Sequence, residues 1–578
     1  MKVGIFFGGP SREREISFAG GKTAYEHLDK ILFDAVPVFV DSFGRFIKVQ
    51  PEVLYEKEIR DFYPSSRHNS GGYRLYAESF AELATREIEP EIGEEILPQD
   101  FSRHFDFAFL AMHGPDCEDG AIQGLLEWYR IPYSGPGLMG SAVGIDKILQ
   151  NEMIALANGQ EKKTDVLRHE AWQTQDRRAI FERTKTELGL PIVVKAPHQG
   201  SSIGVAIVQK DDFAEFTKAI DQCFFQVELT GEDWEKLSDD DKKYWAQRVA
   251  NLDEGIGFPV VTENQTFRHP DSLIDFLDNA FSKNKHKITL SSNNAEDQVL
   301  LETFVRGQEF SCGCIQLNDG TPFALPPTEV IKAVEVFDFN AKYRPGATRK
   351  RIPVGTSLEN NQRIREVIAL VFGRLGINVC ARIDGLLTPE DEILLHDPNT
   401  IPGMSPTSLI FKQMAEIGLN VTQSLTYFIR QSIRERIRTG KEVWQLRTIL
   451  TDLEARIKAG VEADLPRKGI LFGTDESEYA AAQREFGLIN AGGEYRPVPV
   501  LKVNEAEYFQ LPVQLMFKEY VEDILQECRR ERDPLLVQTS EEGRSLTKFY
   551  AGEVNLWVHK SDSLDGIADV EDWIILGK

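Results

Sequence analysis

The first forty residues constrain the chain most. A short apolar run, Val3 to Phe7, ends in Gly8-Gly9 and reads as a buried strand closed by a glycine turn. A helical pattern follows from Glu15 to Leu28, and a second apolar run spans Ala35 to Val40. Strand, helix, strand in that order implies a parallel sheet and an α/β fold. The alternation continues. Phe107 to Met112 reads as another strand, ending in His113-Gly114. Ile192 to Lys195 and Gly204 to Val208 flank a loop, HQGSSIG, and the pattern persists to about residue 430. At 578 residues the chain is too long for one core, and three to five domains are expected.

Two regions break the pattern. Residues 225 to 298 are rich in Asp, Glu, Lys and Asn and read as an insertion, partly helical over Asp233 to Ala250 and Ser272 to Phe281. Beyond 430, a charged helical stretch, Ser432 to Ala459, runs to a break at Leu465-Pro466. After it, KGILFGTDESEYAAAQREFG from Lys468 echoes KVGIFFGGPSREREISFAGG from Lys2, and YRPVPV at Tyr495 echoes FDAVPV at Phe33. An internal repeat of the first domain is the expectation, set against the general likeness of strand–turn–helix units.

Composition narrows the function. A net charge of −25 argues against general affinity for nucleic acid or an anionic membrane. No apolar run approaches the roughly 20 residues of a membrane-spanning helix. The N-terminus is too short and glycine-rich for a signal peptide. Six scattered cysteines, with Cys312 and Cys314 too isolated for a zinc site, fit a reducing cytoplasm.

Four constellations carry chemistry. In Lys195-Ala-Pro-His-Gln-Gly-Ser-Ser-Ile-Gly204 a strand delivers a lysine into a Gly/Ser loop whose backbone N–H groups suit phosphate, although an ordinary hairpin turn has the same composition. It is not a P-loop, since G-x-x-x-x-G-K-[ST] is missing. Arg382 and Asp384 share one strand face, and Asp397 and Asn399 share another. Together they offer hard oxygen ligands suited to magnesium, against the plainer alternative of a solvated hairpin. Glu302 and Glu309 bracket a strand. Ser11 reads as a helix N-cap. Arg12 and Arg14, in a turn where the helix dipole disfavours cations, point to an acidic partner or a substrate carboxylate.

Taken together, GGPSREREIS, AMHGPDCEDGAIQGLLEWYRIPYSG, Asp146-Lys147, VKAPHQGSSIGV, LLETFVRGQEF, LPPTEV, FDFNAKYRPGAT, ARIDG and DPNTIPGMSPTSL resemble, in order, the D-alanine–D-alanine ligases of the ATP-grasp superfamily over residues 1 to about 430. The resemblance implies a Rossmann-like parallel-sheet domain (1–140) before an ATP-grasp fold. The latter has a central domain (141–300, holding the insertion) and a C-terminal catalytic domain (301–430). An extra α/β region (431–578) would be a helical linker and a degenerate or truncated copy of the first domain. The implied reaction joins two D-alanines through a D-alanyl phosphate for peptidoglycan synthesis, with ATP as co-substrate and two Mg2+ or Mn2+ ions.

By the same resemblance, Glu13 holds the first ammonium, and Ser201 links it to Tyr343. His113 lies near the first substrate. Lys147, Lys195 and Lys342 contact phosphate, and Glu302 and Glu309 face the adenosine. Asp384, Asp397 and Asn399 ligate metal. Arg382 and the Gly403 N–H stabilise the oxyanion, and Ser408 and Leu409 border the second amino acid. The loop from Lys342 to Ala347 would be a lid. Small-molecule substrates, no nucleic acid, no membrane, a cytoplasmic location and a homodimer complete the expectation.

The sequence departs from the family at Asp397, where Glu is usual, and at Ala196 and His198-Gln199. Ligases making D-alanyl-D-lactate or D-alanyl-D-serine are alternatives, though Tyr343 favours the dipeptide. An inactive scaffold is another, against which stand Lys147, Lys195, Arg382, Asp384 and Asn399.

Overall fold

A computed structural model describes residues 1–65, 68, 72–85, 92–262, 265–283, 286–332, 348–440, 443–567 and 570–577. The first sheet is built from β1 (Lys2–Gly8), β2 (Asp34–Val40), β3 (Phe46–Val49), β4 (Gly93–Ile96) and β5 (Phe107–Leu110), in the order β4-β3-β2-β1-β5. β1 is parallel to both β2 and β5, with helix α1 (Arg14–His27) as the first crossover. Side chains alternate across it. Val38, Val40 and Phe46 pack on one face, and Phe39, Ile47 and Val49 on the other.

A second sheet takes β6 (Thr164–Arg168), β7 (Ile192–Lys195) and β8 (Val205–Val208). Helix α2 (Lys147–Asn158) precedes them. The insertion then supplies β9 (Gln226–Thr230), helix α3 (Asp239–Val249), β10 (Val260–Thr262), β11 (Gln265–Phe267), helix α4 (Pro270–Ser282) and β12 (Lys287–Ser292). After it, β13 (Gln298–Thr303) returns to complete the second sheet as β6-β13-β7-β8.

The insertion is therefore more than partly helical: its strands form an antiparallel sheet, β11-β10-β12-β9. Those strands are short and half-wet, so polar residues outnumber the inward ones, Ile288 and Leu290 in β12. The expected helix over Asp233 to Ala250 is two helices, Gly231–Glu235 and α3. The apolar core of the insertion, with Trp234, Leu252, Phe258, Leu273 and Leu277, runs into the Phe7–Phe39 face of the first sheet as one buried cluster.

The largest sheet holds β14 (Gln308–Gln316), β15 (Pro322–Ala324), β16 (Thr328–Lys332), β17 (Thr348–Arg351), β18 (Cys380–Leu387) and β19 (Ile393–Asn399), ordered β17-β16-β14-β18-β19 with β15 beside β14. Helix α5 (Leu409–Glu416) follows. The charged stretch expected as one helix over Ser432 to Ala459 is two, α6 (Val421–Arg438) and α7 (Val443–Glu462), packed on each other and joined by Arg430–Glu454 at 2.6 Å. The first ends at Thr439-Gly440, where Gly440 turns left-handed.

The last sheet contains β20 (Arg467–Phe472), β21 (Arg496–Asn504), β22 (Glu507–Gln510), β23 (His559–Ser561) and β24 (Asp572–Ile575), with helices α8 (Glu476–Gly492) and α9 (Val521–Cys528). Its order, β23-β22-β21-β20-β24, is that of the first sheet strand for strand, with the same parallel and antiparallel senses. The registers match as well. Gly4 pairs with Val36 and Ala108, as Gly469 pairs with Val498 and Trp573, and a proline stands one position on in each second strand, Pro37 and Pro499. Both glycines lie under an aromatic ring, Phe105 or Trp573, where a Cβ would collide.

Candidate functional site

The site forms where the first sheet, the second sheet and the largest sheet meet. The turn after β1 carries Glu13, which occupies the N-cap position of α1 without capping it. Its carboxylate reaches instead to the β7–β8 loop. Ser201 Oγ donates to Glu13 Oε1 at 2.5 Å, and the Gly200 N–H donates to Oε2 at 3.2 Å. Any side chain at residue 200 would strike that carboxylate. Ser201 and Ser202 both hold left-handed backbone, φ 50° and 65°, a conformation that non-glycine residues adopt mainly where surroundings enforce it.

Ser11 is not the N-cap the sequence suggested. The helix starts later, at Arg14, and Ser11 Oγ donates to the His113 carbonyl at 2.5 Å and accepts from Glu13 N–H at 3.2 Å, tying the β1 turn to the end of β5. The two arginines do not wait for a substrate carboxylate either. Arg14 pairs with Glu78 of the same chain at 2.7 Å. Arg12 is buried, lies 3.8 Å over the Phe225 ring, and donates to the carbonyls of Leu252, Gly255 and Ile256 and to Ser292 Oγ. Five guanidinium donors suit such a cluster of acceptors, so Arg12 bolts the β1 turn to the insertion.

His113 lies buried behind Glu13, its main-chain N–H bonded to Ser17 Oγ at 2.9 Å. Burial pushes its pKa down, Glu13 works against this and Arg382 with it, so the ring is held neutral. Glu118, 4.0 Å from the ring, is pushed up to about 8 by burial and then by the charge of Glu13.

A buried cluster of cations and carboxylates forms the other half. Lys147, the first residue of α2, donates to the Gln199 carbonyl at 2.5 Å and lies 4.0 Å from Asp397. Lys195, at the end of β7, is 2.9 Å from Glu302 and 3.8 Å from Asp397. Burial opposes charge on Lys195, but Asp397 and Glu302 outweigh it and raise its pKa, with Glu309 on β14 adding to the field. Glu302 is held down near 2: burial would raise it, and Lys195 and Lys162 overcome that. Asp397 falls well below the usual carboxylate range for the same reason, with Lys195 and Lys147 against burial.

Asp397 owes its placement to a bulge. Arg382 pairs with Asn399 and Asp384 with His396, so Asp397 and Pro398 stand opposite Ile383 alone, and Asp397 adopts φ 46°. Aspartate tolerates that region better than longer acids, and bulges commonly re-aim a side chain at a site. Asp384 accepts from Ser311 Oγ at 2.6 Å and lies 3.3 Å from Arg382 Nε. The Asn399 amide nitrogen donates to the Asp397 carbonyl at 2.9 Å, which directs its amide oxygen the other way. Two carboxylates and an amide oxygen make an oxygen-only donor set suited to a hard divalent cation. Gly403 stands against Ser408 Oγ, and Ser408 and Leu409 open α5. Lys342, Tyr343 and the expected lid to Ala347 lie outside the described residues.

Sequence reasoning missed three participants. Lys162, in the loop before β6, lies 2.8 Å from the same oxygen of Glu302 that Lys195 holds. Glu296 grips the β7–β8 loop through His198 at 2.8 Å and Gln199 at 3.0 Å. With Asp146, it raises His198 to about 10, so that loop carries an added positive charge. Asn151 donates to Glu302 at 2.7 Å. The unusual His198 was the one available signal. Lys162 and Glu296 belong to no motif and arrive through the β6–β13 pairing and the end of the insertion.

Comparison with known proteins places the chain in a family. Residues 2–136 match the family described as D-ala D-ala ligase N-terminus, and residues 160–230 and 226–430 match D-ala D-ala ligase C-terminus. The D-alanine--D-alanine ligase of Desulforudis audaxviator is 26% identical over 429 residues, 74% of this chain and 97% of the relative. That of Geobacillus thermodenitrificans is 24% identical over 409 residues, 71% of this chain and 88% of the relative. A solved D-alanine-D-alanine ligase from Coxiella burnetii is 21% identical, with a TM-score of 0.49, covering 78% of this chain and 99% of its own. The family matches end at residue 430.

Proposed function

The chain belongs to the D-alanine–D-alanine ligase family, and from that premise we propose that it joins two D-alanines, at the expense of ATP, into D-alanyl-D-alanine for peptidoglycan precursors. The observation that carries the reading is the junction of Glu13 with Ser201 and Gly200 beside the Lys147–Lys195–Asp397 cluster: a carboxylate suited to an ammonium next to lysines suited to phosphate.

The residues divide the work. Glu13, fixed by two donors, accepts the ammonium of the first D-alanine and so sets its carboxylate toward the lysines. Lys147 and Lys195 exchange Asp397 for the phosphates of ATP, neutralising charge as the carboxylate attacks the γ-phosphorus and ADP leaves. Glu302 keeps a cation partner throughout, because Lys162 stays on it. The amine of the second D-alanine then attacks the acyl phosphate, and phosphate leaves. Arg382 and the Gly403 N–H donate to the oxyanion that forms, while Ser408 and Leu409 border the incoming amino acid. Asp384, Asp397 and Asn399 would hold magnesium through their oxygens. When bound, the ion neutralises and orients the phosphates. Neutral His113 adds no cation near the first ammonium.

Within the same reading, residues 1–140, 141–300 and 301–430 are the three domains of the ligase, and 467–576 descend from a copy of the first. The identical strand order supports that descent. The six free cysteines support a cytoplasmic location, and no helix among the described residues is long and apolar enough to cross a membrane. A homodimer, the family's common assembly, is tested by sedimentation.

The deciding experiment measures phosphate release from ATP and magnesium with D-alanine alone, with L-alanine, and with D-alanine plus D-lactate or D-serine, with products identified by mass. Release with D-alanine alone and appearance of the dipeptide is expected. Turnover only with a mixed pair changes the second substrate. No turnover by folded protein that binds ATP replaces the reading with an inactive scaffold.

A further inference from the structure

Among its contacts with the ligase body, the C-terminal sheet unit holds both ends of one helix, α5. Helix α5 opens with Leu409, directly after Ser408, and the short turn Val513–Phe517 packs against it. Glu519 reaches in between two cations of the ligase body. The same oxygen lies 3.1 Å from Lys412 on α5 and 2.8 Å from Lys350 on β17. Lys412 has only 6% of its side chain exposed, and without Glu519 the two lysines would face each other unscreened.

The far end of α5 is held just as firmly. Glu416, 3% exposed, pairs with Arg532 at 3.4 Å and Lys518 at 3.6 Å. Arg532 also donates to the Glu416 carbonyl at 2.5 Å, and Thr547 Oγ1 to the Ile417 carbonyl at 2.6 Å. The last carbonyls of a helix have no partner inside it, and a cation there favours the helix dipole. Here the partners come from a part of the chain about a hundred residues later. Asp523 adds a link to Arg349 on β17 at 2.7 Å.

We propose that the C-terminal unit is a built-in positioning element for the second amino acid: by gripping α5 through Glu519, Arg532 and Thr547, it sets Ser408 and Leu409 at the mouth of the acceptor site. The proposal rests on the ligase reading for what that mouth receives. Its mechanical part stands on the contacts alone. These are positioning residues, since none touches the reacting atoms. Lys412 reflects the arrangement, drawn down to about 8 by burial, with Glu519 opposing and Lys350 assisting.

The test compares the full chain with Glu519→Gln and with Thr547→Val. Initial rates against D-alanine resolve two constants, one per site, and rates against ATP a third. Glu519→Gln is expected to raise the acceptor constant about tenfold and to leave the donor and ATP constants within about twofold. Thr547→Val should shift the same constant less. Adding Lys412→Met to Glu519→Gln should recover part of the loss, because the like-charge pair disappears. Hydrogen exchange provides an arm that needs no turnover: amides of residues 410–417 should exchange faster in Glu519→Gln, with those of β18 unchanged. Unchanged exchange in α5 overturns the positioning role. Faster exchange with all three kinetic constants shifted equally overturns its selectivity for the acceptor. Failure of the parent chain to make any dipeptide overturns the ligase reading instead, and leaves exchange to decide the grip.

Discussion

The first and last sheets share strand order, register and even a glycine under an aromatic ring, yet they treat the turn after the leading strand in opposite ways. Five residues, Gly9 to Glu13, connect β1 to α1, against three, Gly473 to Asp475, between β20 and α8. In the short turn Asp475 caps its helix, accepting from the Ser477 and Glu478 N–H groups, and Glu478 closes back on the Gly473 N–H at 2.6 Å. In the long turn Glu13 gives up the cap and reaches across to Gly200 and Ser201. The same wiring thus supports either a self-satisfied turn or one whose carboxylate is held for something outside its own helix. The difference teaches that a site can be recognised by local rules it declines to satisfy.

That contrast can be broken, most sharply at Glu13. Glu13→Gln should lower kcat/KM by about a hundredfold, the scale of one charged hydrogen-bonding partner lost, whereas Asp475→Asn should leave it unchanged. Steady-state kinetics on both variants decides, and a fall below threefold for Glu13→Gln would erase the distinction.

The next effect lies where the two units meet. His27, in the last turn of α1, sits against Gly487 of α8, and burial, with Lys30, pulls it down to about 4. The neutral ring is the form the folded chain holds. Stability linked to it is complete above pH 6.5 and drains away as pH falls toward 4, by up to about 3 kcal/mol. His27→Gln should remove that component. Urea midpoints of parent and variant should therefore converge or cross between pH 7 and pH 4.5, and parallel curves would show that the ring is not buried neutral.

The smallest effect sharpens the self-satisfied side. Asp475→Ala should cost about 1 kcal/mol of stability, the usual loss of a helix cap, with kcat intact. Chemical denaturation and a turnover assay measure the two quantities on one sample.

Much of this was legible in the residues. Val3 to Gly9 and Ala35 to Val40 announce a parallel pair because a buried parallel strand must be apolar throughout. Lys195 and Asp384 stand out because charge flanked by apolar runs is improbable without a purpose. What could not be read is what tertiary packing alone decides. Arg12 looked available for a substrate, and is instead consumed by three carbonyls some 240 residues away, in an insertion whose docking no local pattern reveals. Lys162 carries no motif because its role comes from β6 lying against β13. Glu519 and Arg532 resemble ordinary surface charges until α5 is placed beneath them. The bulge at Asp397 escaped as well, since the i, i+2 rule used for that strand presumes unbroken pairing.

The packing of α8 on α1 has one more consequence. Lys30 N–H bonds to the Ala491 carbonyl at 2.9 Å, so two units of like topology adhere within a single polypeptide. Association between separate molecules loosens on dilution. Within one chain the contact is instead intramolecular, and its effective concentration is fixed by the fold that joins the two units. This union is therefore indifferent to how scarce the protein becomes, because both halves arrive in one chain rather than meeting as two.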